Sequence, residues 1–147
     1  MSNNDDSLKN HAKKALGLFL DGNISPAELR DVLSPWLNFR LQDETPRAVD
    51  VIAPFQIEII IFPRHVISML RKYINGAIDS IKVRDWAAYL VIMEQYVASS
   101  DYTSITEDDC EKMWEIIQEL STPEIDGELT KFRAKNYLNT LTDMTIC

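Results

Sequence analysis

Apolar residues recur at helical spacing along most of the chain. Leu8, Ala12, Ala15, Leu16, Phe19 and Leu20 share one face. Gly22 follows where a helix C-terminus calls for the left-handed backbone that glycine adopts at least cost. Ser25-Pro26-Ala27-Glu28 opens a second helix: Ser at the N-cap, Pro at the first helical position and Glu at the third make a capping box. Its apolar positions are Leu29, Val32, Leu33 and Trp36, Pro35 ends or kinks it, and 42–48 is a polar loop. Pro63 starts a helix that turns Val66, Ile67, Leu70, Tyr73 and Ile74 inward and stops at Gly76. Asp79 caps the next, whose stripe is Val83, Trp86, Ala87, Leu90, Met93 and Val97. After a loop at 99–105, Thr106 caps a helix whose first turn, Glu107-Asp108-Asp109, sets acids against the positive end of the dipole. Cys110, Met113, Trp114, Ile117 and Leu120 form its inner face. A loop at 121–127 leads to a last helix over about 129–141, with Phe132, Tyr137 and Leu141 inward.

The stretch 55–62 fits this pattern least. Pro54 and Pro63 bound Phe55-Gln56-Ile57-Glu58-Ile59-Ile60-Ile61-Phe62, whose β-branched content suits a strand. No other segment offers a pairing partner, and a lone strand leaves its backbone unsatisfied. Helix is therefore the expected form, with a short irregular or strand-like stretch as the alternative. The chain as a whole reads as all-α: one helical domain over 1–147, a bundle of about six helices built on αα-hairpins.

One device occurs twice. Phe19-Leu20-Asp21-Gly22-Asn23-Ile24-Ser25 lies over Tyr73-Ile74-Asn75-Gly76-Ala77-Ile78-Asp79 at a constant offset, and Leu29-Arg30-Asp31 lies over Val83-Arg84-Asp85. In both copies Gly closes a helix, Ile folds back onto the core, and Ser or Asp opens the next helix, giving a tight αα-hairpin. Two copies are too few for a solenoid, so the echo reads as a repeated corner rather than a repeat array.

Charge changes the picture more than composition does. With 147 residues, 46% apolar and 26% charged, the chain has the mix of an ordinary globular domain. Its net charge of −8 is uneven, however. Between Tyr96 and Glu128 there are ten acids and one base, whereas the rest of the chain holds thirteen acids and fourteen bases. A chain close to neutral elsewhere and acidic in one block is suited to meet something basic, although such a block also keeps a small protein soluble. Residues 1–9 lack the basic and apolar regions of a secretory signal, and the apolar runs, 59–62 and 86–93 among them, are far too short to span a membrane. Cys110 falls on a helix's apolar face and Cys147 ends the chain, which suggests neither a disulfide framework nor a zinc site. The expected setting is the cytoplasm.

Signs of catalysis are missing from the sequence. His11 and His65 have no carboxylate or cysteine at ligand spacing, and no phosphate loop, nucleophile elbow or zinc motif occurs. Asp101 to Lys112 superficially suggests a calcium loop. It lacks the central glycine, places Ile105 at a ligand position and ends in Lys112 where a bidentate Glu is required. The expectation is a protein that is not an enzyme, with no cofactor, no metal and no small-molecule substrate. Nucleic acid fits badly as well: the bases are scattered (Lys13-Lys14, Arg71-Lys72, Lys82, Arg84, Lys131-Arg133-Lys135) and the net charge opposes phosphate.

What remains is the helix opening at Thr106. Asp108, Glu111, Glu115 and Glu119 form a stripe along it, with like charges at i,i+4 that each cost roughly 0.2–0.5 kcal/mol. A stripe kept despite that repulsion has the form of a docking surface for a cationic partner. The candidate partner-binding residues are Asp101, Tyr102, Glu107, Asp108, Glu111, Glu115 and Glu119, with Tyr102 as an aromatic anchor.

The corner phrases themselves, Phe19-Leu20-Asp21-Gly22-Asn23-Ile24-Ser25-Pro26-Ala27-Glu28-Leu29 and Tyr73-Ile74-Asn75-Gly76-Ala77-Ile78-Asp79 with Asp85-Trp86-Ala87, resemble those of small helical bacterial immunity proteins. Asp109, the run Met113-Trp114-Glu115-Ile116-Ile117-Gln118-Glu119-Leu120 and Asp126-Gly127 are similar to the C-terminal part of the same group. These are the cognate inhibitors of polymorphic and contact-dependent growth-inhibition toxins, with colicin-D-type immunity proteins among their look-alikes. The phrases cover about half the chain and are structural, so no active-site residues carry over. The resemblance implies a cytoplasmic protein that binds one toxin domain, often a basic nuclease, and neutralises it. The alternative is a helical adaptor or regulatory module that binds an endogenous protein.

Overall fold

A computed structural model describes residues 2–33, 58–93, 96–99 and 105–145. Among these the molecule is mostly helical: α1 (Ser2–Leu20), α2 (Pro26–Leu33), β1 (Ile59–Ile60), α3 (Pro63–Ile74), α4 (Ser80–Ile92), β2 (Tyr96–Val97), α5 (Glu107–Ser121), α6 (Pro123–Asp126) and α7 (Lys131–Thr145). The positions of Pro35, Trp36, the 42–48 loop, 55–57 and Cys147 lie outside the described residues.

Local chemistry sets the helix ends. Ser25 Oγ accepts from the Glu28 backbone N–H at 3.1 Å, and the Ser25 N–H donates back to Glu28 Oε1 at 3.4 Å, completing the capping box. Asp79 accepts from the Lys82 N–H at 2.9 Å and Thr106 from the Asp109 N–H at 3.1 Å. At the C-termini of α1 and α3 the echo is literal. Gly22 and Gly76 have φ of +78° and +80°. Asn23 N–H donates to Leu18 O at 2.8 Å and Gly22 N–H to Phe19 O at 2.9 Å; Ala77 N–H donates to Lys72 O at 2.9 Å and Gly76 N–H to Tyr73 O at 3.0 Å. Both corners are Schellman motifs with the same bonds at the same offsets.

The core gathers Ala12, Leu16, Phe19 and Leu20 of α1, Leu29 of α2, Val66 and Leu70 of α3, and Trp86 and Leu90 of α4. Met113 and Ile117 of α5 and Ala134 and Leu141 of α7 complete it. The most extensive helix pairings are α3 with α7 and α4 with α5, while α1 and α2 form their own hairpin. Three side chains from other elements reach the end of α1. Trp86 Nε1–H donates to Phe19 O at 3.1 Å and Leu20 O at 3.2 Å, and Tyr96 Oη–H donates to Leu16 O at 2.7 Å. The Leu20 carbonyl ends the helix with no backbone N–H to serve it, whereas Phe19 O also accepts the Gly22 N–H, and burial makes satisfying such a helix-end group obligatory. His65 completes the tie: its Nδ1 accepts the Phe62 N–H at 2.9 Å and its Nε2 lies 3.3 Å from Asp21 Oδ1.

The structure corrects five sequence expectations. Residues Ile59 and Ile60 are strand, not helix, and pair in parallel with Tyr96 and Val97; Ile61 N–H extends the ladder to Val97 O at 2.9 Å. The missing partner strand lies just beyond α4, which ends at Ile92 with Met93 already extended at ψ +121°. Val97 therefore belongs to β2 and not to the α4 stripe. Phe132 is 74% exposed, because the inward positions of α7 are Ala134, Leu141 and Met144, with Leu138 partly buried between them. A residue two places before Ala134 points away from that row. Trp114 is only half buried, for Ile116 joins Met113, Ile117 and Leu120 and shifts the centre of the buried stripe away from it. Finally, the 121–127 loop contains the single helical turn of α6.

Candidate functional site

Helix α5 stands on its core residues Cys110, Met113, Ile116, Ile117 and Leu120 and turns its acids outward. Beside it, the segment Tyr96-Val97-Ala98-Ser99 leaves the β ladder, and a groove of about 680 Å³ runs between the two. Tyr96, Val97, Cys110 and Trp114 supply its apolar lining, and Glu107, Glu111 and Glu115 its acids. Helical geometry explains the grouping: 107, 111, 114 and 115 fall on one side of a helix with 3.6 residues per turn. Trp114 sits between the core edge and the acids, so the residue whose burial was misjudged becomes part of the surface.

The candidate residues divide. Glu107, Glu111 and Glu115 are exposed, border the groove and have no ion pair among the described residues. Asp108 is exposed but does not line the groove. Glu119 is engaged within the fold: Tyr137 Oη–H donates to its Oε1 at 3.2 Å, and Arg133, whose Nη2 donates to Tyr137 Oη at 2.6 Å, lies 3.9 Å away. Arg133 also donates to the carbonyls of Gly127 and Glu128 at 2.6 and 3.1 Å, which ties the α5–α7 connection together. Asp101 and Tyr102 lie outside the described residues. Trp114, Tyr96 and Val97 were missed as site residues. An aromatic at the edge of an otherwise acidic helix face was the available signal for Trp114; the other two depend on a strand no local pattern announced.

Burial, reinforced by Glu111 and Glu107, pushes the Cys110 thiol up from its ordinary value, which disfavours the nucleophilic thiolate. Among the described residues, no three His, Cys, Asp or Glu side chains converge as a metal site would require, and no helix is long and apolar enough to cross a membrane. His65, the most perturbed base, is committed to the α1–α3 corner and not to a cleft. What the arrangement offers a partner is an apolar slot with unpaired negative charge along its edge. Compared with protein-family models, with curated proteins and with solved structures, the chain matches none.

Proposed function

We propose that this chain is an immunity protein that binds and neutralises a basic toxin domain through the acidic groove beside α5. The observation that carries the reading is the set of unpaired carboxylates, Glu107, Glu111 and Glu115, around the half-exposed Trp114. Unpaired like charges accelerate the approach of an opposite charge, and a Trp at the centre of a groove is the kind of residue that dominates binding energy once covered. Glu119 is set apart as a structural residue of the α5–α7 contact. The resemblance of the corner phrases to those of small helical immunity proteins fits the same class, as does the concentration of the net charge in the block that contains α5.

The test is co-expression with a toxin domain encoded beside this chain, comparing the native protein with Glu111→Lys/Glu115→Lys and with Trp114→Ala. Both variants are expected to stay folded and to lose protection. Association of the native pair is expected to slow as salt rises, because exposed charges are screened beyond about 8 Å at physiological ionic strength. Full protection by the double charge reversal, with association indifferent to salt, overturns the reading and favours an adaptor that meets an endogenous protein elsewhere.

A further inference from the structure

Positive charge that is scattered in the sequence is gathered by the fold on one side of α3. Arg64, Ser68, Arg71, Lys72 and Asn75 follow one another at steps of three and four, apart from the neighbours 71 and 72, which places them on one face of the helix. With Thr142 of α7 they line a groove of about 430 Å³. The described lining holds three cationic residues and no acid. Arg64 and Arg71 are exposed. The Arg64 guanidinium lies 4.6 Å from the centre of the Phe62 ring, a stacking that orders it before anything binds. Lys72 Nζ reaches Asp21 O at 3.4 Å, a neutral carbonyl that leaves the ammonium charge in place. A basic groove on a chain of net charge −8 calls for an anionic partner.

The chain itself carries a surface that matches. Along α5, Glu107, Glu111 and Glu115 border their groove at steps of four. Along α3, Arg64, Ser68 and Lys72 keep the same steps. At 1.5 Å of rise per residue, each row spans about 12 Å. Arg64 and Lys72 can therefore face the two end carboxylates, with the Ser68 hydroxyl as a donor to the middle one. Because both rows are evenly spaced, the match holds whether the two helices run parallel or antiparallel. Rows at steps of four are also those along which helices most often pack. The two grooves share no lining residue, so one copy can use both at once.

We propose that the α3 groove docks on the α5 groove of a second copy of this chain, head to tail. Such an interface joins two different faces, so it closes into a ring if the rotation between copies allows and otherwise continues as a chain. Exposed ion pairs are individually weak and screened by salt, which makes the association reversible and strongest at low ionic strength. It uses the acids of the proposed toxin contact without resting on that reading, and a basic domain and a second copy would compete for them.

The test is sedimentation velocity on the full chain over a range of concentrations. The native protein is expected to exceed the monomer mass at low salt and to return to it as salt rises from about 0.01 to 1 M, where the screening length shrinks from about 30 Å to about 3 Å. Arg64→Glu/Arg71→Glu and Glu111→Lys/Glu115→Lys are each expected to stay monomeric alone. Their equimolar mixture is expected to associate, since one retains the native α5 groove and the other the native α3 groove. Both variants keep a net negative charge, so overall attraction cannot bring them together. If the first variant does not fold, Arg64→Gln/Arg71→Gln takes its place and is expected to weaken self-association at least about tenfold. Arg64→Glu/Arg71→Glu is also expected to keep full protection against a toxin domain, and failure of the toxin reading leaves the mass measurement untouched. A native chain that is monomeric at low salt, variants that self-associate as the native chain does, or a mixture that stays monomeric would overturn the proposal. Saturable shifts at Ser68 and Asn75 on adding inorganic phosphate to such a monomer would assign the α3 groove to a small anion instead.

Discussion

Gly22 and Gly76 close their helices with the same pair of backbone hydrogen bonds, yet one corner is wedged against the core and the other stands in solvent. A Cβ on Gly22 would meet Met69 Sδ and Lys72 Nζ at 2.9 Å each, whereas one on Gly76 would meet nothing within 4 Å. The first corner is also tied from outside. Lys72 Nζ donates to Asp21 O at 3.4 Å, His65 faces Asp21, and Trp86 donates to Phe19 and Leu20. The lesson is that backbone conformation and tertiary role are separable: one local motif serves as a junction in the first copy and only as a turn in the second.

That contrast is most severely tested at Trp86, the residue that joins the first corner to α4. Trp86→Ala is expected to destabilise the protein by about 3–5 kcal/mol in chemical denaturation, since it removes a buried aromatic and leaves the Leu20 carbonyl without its donor. A loss below about 1 kcal/mol would mean that the junction is not a junction.

The next effect is acid sensitivity. Burial, with Arg64 adding to it and Asp21 opposing, lowers the His65 pKa from 6.5 to about 4. Its Nδ1 must stay unprotonated to accept the Phe62 N–H. The folded state therefore holds this imidazole neutral where the unfolded chain would protonate it. Stability should be independent of His65 above pH about 6.5 and should fall as pH drops from there to about 4. The loss is on the order of 2–3 kcal/mol. His65→Gln should flatten that slope, and a native protein whose stability does not change across the window would remove His65 from the corner's accounting.

The glycines themselves come last. Gly76→Ala should cost about 1 kcal/mol, the strain of a left-handed backbone alone. Gly22→Ala should cost about 2 kcal/mol, because Met69 and Lys72 must also move. Equal costs would show that the crowding at the first corner is absorbed by the flexible ends of those two side chains.

These cases also show what the chain made legible. Caps, corners and the glycine conformations were readable because each depends on residues within one turn of itself. Ile59 and Ile60 were not, since their partner lies beyond two helices and its Val97 continues the apolar spacing of α4. Phe132 and Trp114 were misplaced for a third reason. Helical periodicity fixes spacing, but which row faces inward depends on the neighbour, and α7 and α5 each turned slightly from the expected phase. The candidate groove shares this mixture. Its acids were visible as a charge density, whereas Trp114, Tyr96 and Val97 gained their places only from tertiary packing.

The ties on α1 bear on the order in which the molecule assembles. Trp86 is 66 and 67 residues away in sequence from the carbonyls it serves, and Tyr96 is 80 from its own. Helix α1 precedes both, so during synthesis it must wait for its anchors, while the α3–α4 hairpin can form from neighbours alone. Contacts that close long loops come late because their entropy must be met before they stabilise anything. The final docking of α1 should thus be the slow event in refolding. Trp86, whose indole N–H is engaged only when that helix has docked, is placed to report it as the last change in fluorescence.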